Sequence, residues 1–362
     1  MIKKMIRLGD VATYINGYAF KPEERGNVGI PIIRIQDLTG NAYDLGYYDG
    51  EYPEKIEINN GDVLISWSAS LGVYIWNRGK ALLNQHIFKV IFDKVDIDKN
   101  YFVYAVHRKL DEMSMKSHGA TMKHIIKKDF DATLIPYPAL NEQIEIADNL
   151  DKVLRIIEMR KRELQSLDSL IKARFVEMFG DPVQNEKGWK TKPFLDMGNC
   201  KNGMNFHYDD CGVEINCLGV GDFKDLSVIE NTEVLPTISL NEIPPEEYLL
   251  KDEDIVFVRS NGNKALVGRS LAVYPGDVPT TFSGFCIRYR KYDEGVTVPY
   301  LLRVLKTESI RLKMAGRGAN IQNLNQQILG TLIIPVPPVE LQNQFADFVH
   351  QTDKSKVVDK IA

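Results

Sequence analysis

The sequence has no long apolar segment. Its 362 residues are 44% hydrophobic, but the longest apolar runs, such as Ala132–Leu140 and Gly330–Val339, are short and broken by proline. A membrane-spanning helix needs about 20 consecutive apolar residues, and Met1-Ile2-Lys3-Lys4 leads into no hydrophobic export signal. We therefore expect a soluble, cytoplasmic protein that makes no membrane contact.

Cysteine is scarce, and metal-ligand spacing is missing. The cysteines all lie in the second half without a C-x-x-C pair, and the histidines form no metal spacing and no obvious triad. We therefore predict buried thiols in a reducing compartment and no resident metal. The residues concerned are Cys200, Cys211, Cys217, Cys286, His86, His107, His118, His124, His207 and His350.

Signatures of nucleotide chemistry are also missing. The chain has no G-x-x-x-x-G-K-[ST] phosphate loop, and Gly219-Val-Gly-Asp222 lacks the third glycine of a dinucleotide site. Ile135-Pro-Tyr-Pro138 lacks the polar residue with which amino-methyltransferases hold an amino group. The net charge of −4 offers no basic surface overall, so any contact with DNA must be local.

The second half of the chain repeats the first. Three groups of residues recur in the same order, at offsets of 186, 192 and 199 residues. Offsets that rise along the chain are what small insertions in the second copy produce, so we infer two diverged copies of one module. The matched groups are Asp10, Asn16, Gly17, Phe20 with Asp196, Asn202, Gly203, Phe206; Asp62–Ile65 with Asp254–Phe257; and Gly119, Ile135, Pro136, Pro138, Gln143, Ala147 with Gly318, Ile334, Pro335, Pro337, Gln342, Ala346.

Each copy combines short strands with short helices. Val63–Ser66, Ile87–Phe92 and Ile255–Val258 are rich in β-branched and aromatic residues and are bounded by turn formers, which predicts strands. Tyr101–Leu110 and Tyr300–Leu305 have the pattern of helices. The predicted fold class is mixed α/β (α+β), with curved sheets.

A long helix is predicted between the copies. Asn141 to Phe179 contains no proline or glycine, and its apolar residues recur every three or four positions, which is typical of a coiled-coil seam. Such a helix would extend about 50–60 Å; a buried core helix is the alternative interpretation. A second, shorter helix begins at Glu340. The seam comprises Ile146, Leu150, Val153, Leu154, Ile157, Leu164, Leu167, Ile171, Phe175 and Met178.

Four segments together resemble a known family. They are Leu134-Ile-Pro-Tyr-Pro-Ala-Leu-Asn-Glu-Gln143, the stretch Leu167–Asp181 with its Ala-Arg-Phe-Val-Glu-Met-Phe-Gly sequence, Asn84-Gln85-His86, and Ile334-Pro-Val-Pro-Pro338. Their order over nearly the whole chain resembles the DNA-specificity (S) subunit of type I restriction–modification systems. The short C-terminal helix departs from the family's pattern.

The resemblance implies a division of labour. Two target-recognition domains, residues 1–138 and 181–337, would each read one half of a bipartite, asymmetric site in double-stranded DNA. A central helix at 139–180 and a short C-terminal helix at 338–362 would form an antiparallel coiled coil that sets the gap between the halves.

The family also implies partner subunits. Two methyltransferase (M) subunits would dock on the helices and methylate adenine N6 with S-adenosylmethionine, and restriction/translocase (R) subunits using ATP and Mg²⁺ would cut unmodified DNA. The S subunit itself would catalyse nothing and hold no cofactor. The helix residues expected to bind partners are Leu150, Leu154, Ile157, Leu164, Leu167, Ile171 and Phe175.

Two polar segments in each copy are candidates for DNA contact. One follows the central strand and the other precedes the last strand, and both offer the side-chain types that read base edges or hold phosphates. The aligned segments differ in chemistry between the copies, as reading of two different half-sites requires. The candidates are Ser66, Trp67, Ser68, Ser70, Lys116, His118, Thr121, Lys123 and His124 in copy one, and Arg259, Asn261, Asn263, Lys264, Lys313, Arg317, Asn320, Gln322 and Asn323 in copy two.

Two other functions compete with this one. A stand-alone DNA nuclease or modification enzyme would need catalytic carboxylates or a cofactor loop, neither of which is found in the sequence. A scaffold whose coiled coil only joins proteins would show no DNA sequence preference.

Overall fold

The chain folds into two compact units. The computed structural model describes residues 4–40, 46–116, 125–206, 211–223, 227–315 and 323–361. Unit 1 comprises Met1–Met159 and unit 2 comprises Arg160–Ala362. Both combine helices and sheets, which confirms the predicted fold class of tandem mixed modules.

Unit 1 is built on two four-stranded sheets. The first has the order β2-β9-β6-β7 and the second β4-β3-β8-β5, and β1 pairs with β10. The strands are β1 (Met5–Arg7), β2 (Thr13–Asn16), β3 (Ile30–Ile33), β4 (Gly46–Tyr48), β5 (Glu57–Ile58), β6 (Val63–Ser66), β7 (Gly72–Ile75), β8 (Ala81–Leu83), β9 (Ile87–Ile91) and β10 (Leu134–Pro136). The helices are α1 (Leu8–Val11), α2 (Ile35–Thr39), α3 (Lys99–Lys116), α4 (Lys127–Ala132) and α5 (Leu140–Phe179).

Unit 2 repeats this plan. Its larger sheet has the order β12-β19-β16-β17-β14, its smaller sheet β15-β13-β18, and β11 pairs with β20. The strands are β11 (Thr191–Pro193), β12 (Gly198–Asn202), β13 (Val213–Leu218), β14 (Val228–Ile229), β15 (Thr237–Leu240), β16 (Asp254–Val258), β17 (Ser270–Val273), β18 (Thr280–Phe282), β19 (Cys286–Lys291) and β20 (Ile333–Pro335). The helices are α6 (Val298–Leu305), α7 (Glu308–Ala315), α8 (Gln326–Gly330) and α9 (Val339–Ile361).

The central strand explains why both copies keep the same apolar run. Every residue of β6 and of β16 is buried, because each strand lies between two neighbours inside its sheet. A strand that is buried on both faces is apolar throughout rather than alternating. The Asp62–Ile65 and Asp254–Phe257 match therefore marks the centre of each large sheet.

A glutamine fixes the start of the helix in each copy. The Gln143 side chain donates to the Pro138 carbonyl at 2.9 Å and accepts from the Asp98 backbone N–H at 2.9 Å. The Gln342 side chain donates to the Pro337 carbonyl at 2.8 Å and accepts from the Thr297 N–H at 2.8 Å. Both glutamines are 0% exposed. A buried amide that is fully hydrogen-bonded orients the helix that carries it.

The predicted long helix is present. It is α5, a continuous helix of 40 residues. It ends where Gly180 adopts a left-handed φ of +77°, a conformation that glycine tolerates at helix C-termini. The Trp189 indole N–H then donates to the Phe179 carbonyl at 3.0 Å and satisfies one of the helix's free terminal carbonyls.

The C-terminal end of α5 is not an exposed seam. Ile171 and Phe175 were predicted to bind partners, but they are 7% and 1% exposed and lie in the core of unit 2. The prediction was wrong for these two residues because their apolar face packs on α6 and α9. Phe345, near the start of α9, contacts Phe175 and Phe179 near the end of α5, so α9 runs back along this part of α5.

The cysteines do not all lie in the core. Cys217 and Cys286 are buried as predicted, but Cys200 is half-buried and Cys211 is exposed, so the prediction of core thiols was wrong for Cys211. Burial raises the pKa of the Cys200 and Cys217 thiols to about 12.

Alkylation should therefore separate the cysteines. We expect iodoacetamide at pH 8 to modify Cys211 first and Cys200 on the order of a thousandfold more slowly, because the thiolate is the nucleophile and a raised pKa depletes it. Mass spectrometry of timed digests would measure the rates, with urea-unfolded protein as the control in which all four cysteines react. Equal rates at Cys200 and Cys211 in the folded protein would contradict this placement.

Within the described ranges, no helix is both long enough and apolar enough to cross a membrane.

Candidate nucleic-acid interface

In unit 1, the two segments predicted to contact DNA meet. The backbone N–H of Trp67 donates to the His86 carbonyl at 3.2 Å, and the N–H of Ile125 donates to the Trp67 carbonyl at 3.0 Å. Ile125 directly follows the predicted loop. The turn after β6 and the end of that loop are therefore joined by the backbone.

Unit 2 contains the same joint. The N–H of Arg259 donates to the Phe285 carbonyl at 2.7 Å, and the N–H of Leu324 donates to the Arg259 carbonyl at 2.8 Å. Arg259 stands 192 residues after Trp67, and Leu324 stands 199 residues after Ile125, the offsets of the repeat. The two copies thus hold different side chains on one backbone frame.

A glycine closes the frame in each unit. The Gly17 N–H donates to the Ile87 carbonyl at 3.1 Å, and the Gly203 N–H donates to the Cys286 carbonyl at 3.0 Å. A Cβ atom at Gly17 would lie 2.1 Å from the Asn84 carbonyl oxygen, and one at Gly203 would lie 2.1 Å from that of Ser283. Backbone approaches this close explain why both copies have glycine here.

An aromatic group occupies the joint in unit 1. Trp67 is half-buried; its ring stacks on Phe88 with centroids 5.5 Å apart, and its indole N–H donates to the Asn16 side chain at 3.3 Å. His86, at a left-handed φ of +71°, lies with its ring centroid 4.9 Å from that of Trp67. The indole is therefore held at the surface in a fixed orientation.

The serines beside Trp67 differ in accessibility. Ser66 is 0% exposed and its hydroxyl donates to the Ser70 carbonyl, and Ser68 is 6% exposed. Ser70 is exposed. Ser66 and Ser68 therefore hold the shape of the turn in this conformation, and we leave them out of the surface proposed below to contact DNA.

Cationic and amide side chains occupy the joint in unit 2. Arg259 is half-buried and donates to the Gly284 carbonyl at 3.4 Å. The side chains of Asn261 and Asn263 accept hydrogen bonds from the N–H groups of Asn263 and Ala265 at 2.7 and 3.1 Å, which shapes the loop. Asn263 and Lys264 are exposed.

The structure places only part of the second predicted segment in each unit. Lys116 is the last residue of α3, Lys313 is exposed on α7, and Asn323 is exposed just before Leu324. The other predicted residues lie outside the described ranges: His118, Thr121, Lys123, His124, Arg317, Asn320 and Gln322.

The structure adds a third segment that was not predicted to contact DNA. Asn84-Gln85-His86 and Ser283-Gly284-Phe285 stand beside the joint in their units, and Phe285 is 60% exposed. In unit 2 this segment and Met204–Phe206 line a cavity of about 240 Å³. The sequence signal was available, since Asn84-Gln85-His86 helped to carry the family resemblance and Phe20 and Phe206 mark the repeat.

A carboxylate anchors the other end of each central strand. Asp62 accepts from the Asn59 N–H at 2.8 Å and pairs with Lys89 at 3.0 Å. Asp254, which is 0% exposed, accepts from the Lys251 N–H at 2.8 Å and from the Arg290 guanidinium at 2.7 Å. The hydrogen bond to Asp254 raises the pKa of Arg290 above its ordinary value, so this pair stays charged. These are supports of the frame rather than reactive groups.

Among the described residues, no group of three or more histidine, cysteine, aspartate or glutamate side chains is placed to hold a metal ion.

Comparison with known proteins identifies the family. A family model described as the type I restriction modification DNA specificity domain matches residues 3–169 and again residues 186–359. The chain belongs to this family. Two matches in one chain correspond to the two units and to the repeat, and they make the protein a DNA-specificity subunit with two recognition domains.

Named specificity subunits match almost the whole chain. The EcoBI specificity subunit of Escherichia coli is 32% identical, over 96% of this chain and 78% of that protein. The MjaVIII specificity subunit of Methanocaldococcus jannaschii is 21% identical, over 97% of this chain and 86% of that protein.

Solved structures show the same fold. An S subunit from M. genitalium has a TM-score of 0.55 at 16% identity and covers 99% of this chain and 91% of its own. A chain from a study of complex assembly and conformational transition in the type I R-M system has a TM-score of 0.58 at 13% identity and covers 99% of this chain and 92% of its own.

Proposed function

We propose that each unit reads one half of a bipartite, asymmetric site in double-stranded DNA through the joint described above. Unit 1 would present Trp67 and Ser70 with the loop before Ile125, and unit 2 would present Arg259, Asn263 and Lys264. Base edges are read by side chains of these types, and phosphate contacts fix the register.

One observation carries this proposal. The two joints have the same backbone hydrogen bonds, but an indole in unit 1 stands where a guanidinium stands in unit 2. A repeated frame with different side chains is what recognition of two unlike half-sites requires. A joint that served only to stabilise the fold would have no need to exchange an aromatic for a cation.

We further propose that M subunits dock on the middle of α5. Large apolar residues there are exposed, from 38% at Leu150 to 60% at Met159. Contiguous exposed apolar surface marks a protein interface. The docked subunits would methylate adenine N6 with S-adenosylmethionine, R subunits using ATP and Mg²⁺ would cut unmodified DNA, and this chain itself would catalyse nothing. The exposed residues are Leu150, Val153, Leu154, Ile156, Ile157 and Met159.

The complete system tests this function. The chain is expressed with its M subunit in a methylation-free host, and N6-methyladenine is mapped over the genome. We expect two short specific sequences separated by an unspecified gap of constant length. Methylation or cleavage by this chain alone would show it to be an enzyme, and co-purification with M without sequence preference would show it to be a scaffold.

Arg259→Ala is expected to relax one half of the recognised sequence. Loss of a base contact by this guanidinium should weaken binding to the cognate site by about 1–3 kcal/mol, roughly 5- to 150-fold, and relax discrimination at one base pair of the half-site read by unit 2. Titration of the M-bound complex with a panel of singly substituted duplexes measures this. Lys187→Ala, which removes an exposed cation of unit 2 outside the joint, is the matched control.

A uniform loss over all duplexes in the Arg259→Ala complex would reassign Arg259 to a phosphate contact. Relaxation in the half-site read by unit 1 would contradict the assignment of this residue to the second half.

A further inference from the structure

The two units differ in what covers one equivalent face. In unit 2, the face formed by α6, α9 and the end of β20 is covered by the C-terminal part of α5. The Phe175 ring lies with its centroid 5.9 Å from that of Tyr300 and 5.4 Å from that of Phe345, and Phe179 lies at 4.9 and 5.6 Å from the same two rings. Phe345 is 0% exposed.

Unit 1 has the same face, built from α3, the first turns of α5 and β10. The Tyr101 hydroxyl donates to the Pro136 carbonyl at 2.9 Å, as the Tyr300 hydroxyl donates to the Pro335 carbonyl at 2.8 Å. Ile146 follows the anchoring Gln143 by three residues, as Phe345 follows Gln342. The two faces are therefore superimposable in sequence and in hydrogen bonding.

On unit 1 this face is an open groove of about 790 Å³. Met5 and Leu150 line opposite walls and are 44% and 38% exposed. Tyr101 and Ile146 line it between them. Apolar side chains that unit 2 keeps covered by a helix thus face solvent in unit 1, at a cost of about 25 cal/mol for each Å² of apolar surface left uncovered.

We propose that this groove binds an amphipathic helix of a separate polypeptide, one that presents an aliphatic and two aromatic side chains at four-residue spacing. Ile171, Phe175 and Phe179 are such a set, and they show how the face is filled in unit 2. A second copy of this chain is a poor occupant, since its own set is buried in its own unit 2. The proposal does not depend on how the chain reads DNA.

One difference between the faces defines the occupant further. Tyr104 in unit 1 stands where Arg303 stands in unit 2. Burial lowers the pKa of Arg303 and the charge of Asp168, on the covering helix, opposes this, whereas the Tyr104 hydroxyl already donates to Asp151 of its own unit. A helix bound in the groove therefore needs no carboxylate three residues before its aliphatic residue.

A peptide with the sequence of residues 163–181, helix-stabilised by a covalent staple on its outer face and labelled with fluorescein, is the probe. Fluorescence anisotropy with the full chain should show saturable binding. Leu150→Arg or Met5→Arg, on opposite walls, should each weaken it by about tenfold or more, since 1.4 kcal/mol is tenfold. Ile156→Arg, also on α5 and 53% exposed but outside the groove, is the matched control.

Two peptide variants complete the test. Alanine at both positions 175 and 179 of the peptide should abolish binding, and Asp168→Asn in the peptide should leave it unchanged. Hydrogen exchange should show that the bound peptide protects Tyr101–Leu110.

Three results would overturn the proposal. One is the absence of saturable binding by the stapled peptide, and another is equal binding to the Leu150→Arg and Ile156→Arg chains. The third is a dimer of the chain alone that Leu150→Arg dissociates, because the occupant would then be a second copy.

Discussion

Replacing Phe175 with alanine is expected to lower the free energy of unfolding of unit 2 by about 3–5 kcal/mol, the usual cost of truncating a buried phenylalanine. Phe175 is 1% exposed and contacts Phe179, Tyr300 and Phe345, so the variant loses aromatic contacts on three sides and leaves a cavity. Hydrogen exchange during urea unfolding, resolved by peptide, measures unit 2 and unit 1 separately.

Val176→Ala is the matched control for this experiment. Val176 is the next residue of the same helix and is 55% exposed, so its truncation should change the free energy of unfolding by no more than about 0.5 kcal/mol. If Phe175→Ala were equally mild, the end of α5 would not be part of the core of unit 2. In that case the seam predicted from the sequence would have to be reinstated.

Gly203→Ala is expected to destabilise unit 2 by about 3 kcal/mol or more and to abolish reading of one half-site. The added Cβ would meet the Ser283 carbonyl oxygen at 2.1 Å. Because that oxygen belongs to the backbone, no rotamer change can relieve the overlap, and the cost should reach or exceed the upper end for overpacking. Urea unfolding measures the stability, and the methylated motif of the M-bound complex reports the half-site.

Gly221→Ala is the control, since its Cβ would meet no atom within 4 Å. Gly17→Ala should reproduce the defect in unit 1 and affect the other half of the motif. Loss of both halves in either variant would show that the units do not read DNA independently. An unaffected motif in a destabilised Gly203→Ala protein would place the joint outside the reading surface.

The repeat was visible in the sequence because it preserves residues that the backbone itself requires. Gly17 and Gly203 recur where two chain segments approach too closely for any side chain. Gln143 and Gln342 recur where a buried amide must satisfy a backbone donor and an acceptor at the same time. Constraints of this kind tolerate no other residue, so they persist when most of the sequence has diverged.

The candidate site was predicted in part. The turn after the central strand was found because it follows a buried strand at the same place in both copies. The third segment, such as Asn84-Gln85-His86, was not assigned to the site, since it joins the turn only through pairing between residues such as Trp67 and His86 that are distant in sequence. Burial of Ser66 could not be predicted either, because a serine after a strand is as often exposed as hydrogen-bonded within its own turn.

The sequence by itself determined the duplication, the mixed strand and helix content, the continuous α5 and, through its motifs, the family. Tertiary structure alone decided which apolar residues of α5 remain available to partners. Periodicity shows that Leu150 and Phe175 belong to one stripe, but not what faces each. In the fold, α6 and α9 cover Phe175, while Leu150 lines an open groove. Burial depends on neighbours from distant parts of the chain, and a local pattern does not contain them.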